Sequence, residues 1–137
     1  METFEDDKDV WLCYTLEGKS LNSQLFQVKG EFFKGEWIYS IKYQDTYKIL
    51  KRDKSLLKQL ITEIIKGISF LSKIGIVHGD MKPDNILIDF DGTTLHSVKI
   101  IDFGSAFFMD QNSLPNFSMN TPEYLAPEVL KHLEQIK

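Results

Sequence analysis

From Asp53 to Gly75 the chain reads DKSLLKQLITEIIKGISFLSKIG, with Leu57, Leu60, Ile61, Ile64, Ile68 and Leu71 at steps of three and four. That spacing gathers apolar side chains on one face of an α-helix and predicts that they are core. Asp53 or Ser55 can cap its start, and Gly75 can end it. A different rhythm follows. ILID and VKIID are short aliphatic runs separated by FDGTTLHS, whose Asp-Gly pair marks a turn, so the pattern predicts a hairpin. Nearer the start, VWLCYTLEG (Val10 to Gly18) is apolar and rich in β-formers, which predicts a buried strand leaving through a glycine turn. KSLNSQLFQVKG has room for a short helix. The stretch from Gly30 to Lys48 mixes aromatic residues with charges and predicts no single element. Its cluster of Phe32, Phe33, Trp37 and Tyr39 is expected to pack inside. FGSAFFMDQNSLPNFSMN reads as loop, and PEYLAPEVLKHLEQIK ends in a predicted helix.

Composition narrows the class. The 137 residues carry 16 Lys plus Arg against 20 Asp plus Glu, a net charge of −4, with 42% hydrophobic and 26% charged residues. This is the balance of a soluble globular domain, or of a piece of one. Mild acidity argues against a nucleic-acid partner, which would call for concentrated positive charge. The single cysteine, Cys13, excludes an internal disulfide and suits a reducing compartment as a small buried apolar residue. No apolar run reaches membrane-spanning length, and the acidic start METFEDDKD is unlike a secretory leader. The expected setting is the cytoplasm, or else the nucleus, with no membrane partner.

The candidate chemistry lies in VHGDMKPDNILID (Val77 to Asp89), where a histidine, two aspartates, a lysine and an asparagine fall within eight positions. Alone, this could be a polar turn capped by its own side chains. His96 and His132 have no such context and are expected on the surface. Further on come DFG (Asp102 to Gly104), at the end of the predicted hairpin, and APE (Ala126 to Glu128).

In that order, HGDMKPDN, DFG and APE resemble the catalytic loop, the magnesium-binding motif and the end of the activation segment of the eukaryotic protein kinase family. The Lys-Pro of DMKPDN and the run TPEYLAPE resemble its Ser/Thr branch. The resemblance implies an α+β, protein-kinase-like fold: a partial large lobe, mainly helical, with a small β-hairpin. Residues 1–137 would run from the hinge to the end of the activation segment. It implies ATP and Mg²⁺ as cofactors and a protein substrate bearing a Ser or Thr hydroxyl. Asp80 would orient and accept from that hydroxyl, Lys82 would sit against the transferring phosphate, and Asn85 and Asp102 would hold Mg²⁺. Thr121 would bond near Asp80 and Lys82. Phe103 would pack inward, and His78 would support the loop. Cys13 would be the gatekeeper, the backbones of Tyr14 and Leu16 would meet the adenine edge, and Leu87 would form part of its floor.

Two departures from the family pattern matter. Gly79 stands where an arginine usually pairs with an activation-loop phosphate, so dependence on such phosphorylation is expected to be weak, and Ser113 and Ser118 are not expected to be switch sites. Nothing before Val10 resembles the glycine-rich loop or the ATP lysine, and little follows Glu128. The chain therefore reads as a middle slice, inactive by itself, for which a partner could supply the missing elements. The other reading is a non-catalytic, kinase-like binding protein; a small-molecule kinase fits TPEYLAPE less well.

Overall fold

The computed structural model describes residues 2–5, 10–13, 15, 17–110 and 121–135; Tyr14, Leu16, Ser113 and Ser118 lie outside them. Strands β1 (Glu2–Glu5) and β2 (Val10–Cys13) pair antiparallel. Next come β3 (Lys19–Ser20), α1 (Leu21–Leu25), β4 (Phe26–Phe33), β5 (Glu36–Tyr43) and α2 (Asp45–Arg52). The long helix α3 (Lys54–Lys73) leads to β6 (Ile76–Val77), then β7 (Ile86–Phe90) and β8 (Leu95–Ile100). β9 (Phe107–Phe108) and α4 (Pro127–Gln135) complete the order. The expectation of a mainly helical unit is corrected: helices and strands share the chain, and among the described residues the strands form four separate small sheets.

Helix α3 starts and stops as its sequence predicts. The Asp53 carboxylate accepts hydrogen bonds from the backbone N–H groups of Ser55 and Leu56, both at 2.9 Å. A cap of this kind stabilises a helix by ~1 kcal/mol. At the other end Gly75 adopts φ +72°, a conformation other residues resist. The predicted face is met in part: Leu60 and Leu71 are buried and Leu57 and Ile64 pack against the core, joined by Leu56, whereas Ile61 and Ile68 are exposed. Among the described residues α3 is covered mainly on the side facing α2 and the β7–β8 hairpin, and near its end by β6; at Gly67 the side chain of Ile100 approaches so closely that a Cβ would lie 2.8 Å from it.

The core is small. Leu21, Leu50, Leu56, Leu60, Ile86, Ile88 and Leu95 form one cluster where α1, α2 and α3 meet β7 and β8. Sheet β3–β7–β8 backs it, with Ile86 opposite Ile100 and Lys19 opposite Ile88. The pleat turns Ile86 and Ile88 inward and leaves Leu87 half-buried on the other face. Burying a side chain such as Ile88 stabilises by ~1.5–3 kcal/mol. The predicted turn between β7 and β8 is built on Asp91, whose Oδ1 accepts from the N–H groups of Thr93 and Thr94 at 2.8 Å.

The undecided stretch after Gly30 is the second strand hairpin. β4 and β5 pair over their whole length, from Phe26 opposite Tyr43 to Phe33 opposite Glu36. The turn at Lys34 and Gly35 has φ +50° and +90°, the left-handed pair that suits the twist of a tight hairpin. Every residue from Gln27 to Tyr43 is exposed. The inward packing expected of Phe32, Phe33, Trp37 and Tyr39 is therefore wrong: each is at least 58% exposed. The core lies beyond their reach, because the hairpin springs from α1 and runs out from it.

Candidate active site

The loop after β6 is shaped by His78, which is 4% exposed. Its Nε2 lies 2.9 Å from the carbonyl oxygen of Ile101, and the N–H of Asp80 donates to Nδ1 at 3.3 Å. A carbonyl only accepts and an amide N–H only donates, so the ring carries its proton on Nε2. His78 thus fastens the start of the loop to the segment that leaves β8, and it makes no bond to a site carboxylate. The supporting role expected of it fits this geometry.

Asp80, Lys82, Asn85 and Thr121 converge on one another. The Lys82 ammonium lies 2.7 Å from Asp80 Oδ2 and donates to Thr121 Oγ1 at 2.9 Å. The Asp80 and Lys82 side chains are only 10% and 20% exposed. Asn85, at the end of a 3₁₀ turn (Pro83–Asn85), is buried and donates through Nδ2 to the Asp80 carbonyl at 2.8 Å and to Asp80 Oδ2 at 3.1 Å. Both partners are acceptors, which fixes the amide nitrogen there and aims Oδ1 elsewhere. The Lys82 hydrogen bond holds the Asp80 carboxyl below the usual carboxylate range, outweighing the opposite effect of burial; the Thr121 N–H and Asn85 add to the lowering. Bonding to Asp80 in turn raises Lys82, with Asp102 and Asp84 contributing at longer range.

Asp102 sits just past β8 at φ +62°, uncommon for a residue with a side chain, and its carboxylate accepts from the Gly104 N–H at 3.4 Å. Phe103 does not pack inward as expected. It is 46% exposed, with its ring 4.9 Å from that of His78 and solvent on the remaining side. Leu87 lies on β7 on the face away from the core, near the described part of the segment before β3. Tyr14 and Leu16 fall outside the described residues, as does the side chain of Cys13.

Two features escaped the sequence reading. Gly79 has φ +82°, and a Cβ placed on it would lie 2.2 Å from the backbone oxygen of Ser105. The glycine is required by both conformation and space, and Ser105 is too distant in sequence for any local signal to reveal it. The second is a tie across the fold: Asn22 Nδ2 on α1 donates to Asp84 Oδ1 in the 3₁₀ turn at 2.9 Å. Asp84 lies within the motif, but nothing near Asn22 announces its partner.

The donors available suit a hard cation. Asn85 Oδ1 and the exposed Asp102 carboxylate are oxygen ligands of the kind Mg²⁺ accepts, and that ion commonly takes few protein ligands beside water and phosphate. Among the described residues no group of three or more His, Cys, Asp or Glu side chains is gathered for a metal. A cation here would rest on one amide and one carboxylate.

A loop that joins an aspartate, a lysine and an asparagine, followed by a hairpin ending in Asp-Phe-Gly, defines a class, and comparison with known proteins agrees. A sequence model of the protein kinase domain matches residues 1–136, and the chain belongs to that family. Among its relatives, mouse citron Rho-interacting kinase is 40% identical over 79 residues, covering 57% of this chain and 4% of that protein. The Drosophila melanogaster serine/threonine-protein kinase Genghis Khan is 30% identical over 144 residues, covering 98% and 8%. The chloroplastic serine/threonine-protein kinase STN7 of Arabidopsis thaliana is 33% identical over 122 residues, covering 88% and 21%. The chain therefore spans a small part of the length of these relatives.

Proposed function

We propose that these residues form the catalytic loop and metal-binding strand end of a Ser/Thr protein kinase that transfers the γ-phosphate of ATP, with Mg²⁺, to a protein hydroxyl. The observation that carries the reading is the joined set of Asp80, Lys82, Asn85 and Thr121. Asp80 stays ionised at neutral pH, so it accepts a hydrogen bond from an incoming hydroxyl and aims its oxygen. Lys82, on the same carboxylate, supplies positive charge beside that oxygen. Thr121 holds the lysine on this path. Asn85 fixes Asp80 through its amide and leaves Oδ1, with the Asp102 carboxylate, to hold Mg²⁺. When bound, that ion would neutralise phosphate charge. Leu87, with the backbones of Tyr14 and Leu16, would hold the adenine ring.

The 137 residues alone are expected to transfer nothing. Transfer to a hydroxyl needs several cations around the phosphates, and the joined set contributes one, Lys82. A cytosolic or nuclear setting belongs to the same reading, in keeping with a lone cysteine. The test is transfer of labelled phosphate to a generic protein substrate by the longest polypeptide carrying this segment. Asp80→Asn should lower the rate by at least about 10²-fold. Full activity in that variant would overturn the assignment.

A further inference from the structure

The β4–β5 hairpin has two unlike faces. Register places Phe26, Val28, Gly30 and Phe32 on the same side as Tyr43, Ile41, Tyr39 and Trp37. No charged residue interrupts that side. The other side carries Gln27, Lys29, Glu31, Glu36, Ser40 and Lys42, with Ile38 and Phe33 near the tip. On the apolar side Val28, Phe32, Trp37, Tyr39, Ile41 and Tyr43 are 50–66% exposed. The rings of Trp37 and Tyr39 stack at 6.3 Å, and Tyr39 lies against Gly30, so the face is broad and flat. A two-stranded hairpin is marginal in water unless its apolar side is covered, and a continuous exposed apolar patch of this kind marks an interaction site.

We propose that this face is a self-association surface, on which two copies of the chain pack their hairpins face to face about a two-fold axis. The area, and the lack of charge on the face itself, support a second copy. An aromatic side chain can bury about 150–250 Å²; at the exposures seen here, with the aliphatic residues added, one face offers roughly 600 Å². Two copies then bury roughly 1,200 Å² in total, at the lower bound for a specific interface. A symmetric dimer uses one patch twice, so an uncharged face meets an uncharged face and strands no charge. The charged residues Lys29, Glu31, Glu36 and Lys42 lie on the other side, facing away from such a partner, and at the tip Lys34 turns onto the ring of Phe33.

Sedimentation velocity of the 137-residue chain across a dilution series tests this. Expected is a monomer–dimer equilibrium that Ile41→Lys weakens by at least about tenfold, and that Ser40→Lys, on the other side of the same strand, leaves nearly unchanged. Both substitutions lie on the exposed hairpin, so far-ultraviolet circular dichroism should match the parent. Hydrogen exchange at high and low concentration locates the contact independently, with added protection expected within residues 26–43. A chain that stays monomeric throughout would overturn the proposal and leave the face to a different protein. So would an Ile41→Lys chain that dimerises like the parent, or protection that falls on residues 76–81 and 122–130 instead.

Discussion

At the residue scale, Gly79 is the most constrained position in the loop. Its φ of +82° and the Ser105 oxygen, 2.2 Å from where a Cβ would be, leave no room for a side chain. Gly79→Ala should therefore destabilise by ~1–3 kcal/mol, read as a lower midpoint in urea. Gly79→Arg, which restores the residue usual in the family, should be worse, and should not create a phosphate-dependent site. A stable arginine variant would mean that the two segments separate readily. Sequence made the polar set legible here, since Asp80, Lys82, Asn85 and Thr121 do converge. It could not show why position 79 is glycine, because the obstacle is a backbone atom from a segment folded back against it. Phe103 failed for a related reason: its motif implies burial, and burial depends on neighbours.

At the element scale, the β7–β8 turn depends on Asp91. Three hydrogen bonds from Thr93 and Thr94 meet its Oδ1, and His96 meets Oδ2 at 2.9 Å. The bond from the Thr94 N–H, then those from Thr93, hold the carboxyl far below its ordinary 3.8. A depressed carboxyl stabilises the fold fully above its unfolded value and loses that contribution as pH falls through the folded one. The turn should thus hold at neutral pH and loosen only well below pH 3.8, followed by exchange of the Thr93 and Thr94 amides. In Asp91→Ala the same amides should exchange fast at every pH. This hairpin was readable because Asp-Gly is a strong turn signal. The β4–β5 hairpin was not, because Lys34-Gly35 is a weak one and its apolar alternation is split between two strands that must first be paired. Helix α3 was readable in length and caps and in most of its buried face; Ile61 and Ile68 stayed exposed, because sequence spacing lists the apolar residues without saying which of them find neighbours.

At the scale of the whole molecule, covered apolar surface is scarce. Beside the core cluster, a groove of about 710 Å³ runs between the end of α3, β6, β9 and α4, lined by Ile68, Leu71, Val77, Phe107, Leu125 and Val129. Together with the exposed face of α3, it should bind an apolar dye without denaturant and give a broad, concentration-dependent thermal transition. Ile41→Lys should leave the dye signal largely intact, since the groove lies apart from the hairpin. A sharp reversible transition in dilute solution, with no dye bound, would contradict this. Fold class was legible at this scale only through motif order; the balance of strand to helix was not, because pairing over distance decides it.

The buried imidazole of His78 has a use beyond holding the loop. Its Nε2–H faces one carbonyl and its Nδ1 one amide, so the two ring nitrogens stand in fixed and different chemical surroundings. In a ¹⁵N spectrum they report separately on the segment after β8 and on the peptide of Asp80. If the loop loses its shape, the amide leaves one nitrogen and solvent reaches the other. The chain thus contains an isotope-readable gauge of whether its loop is assembled, one that needs no nucleotide, substrate or turnover to be read.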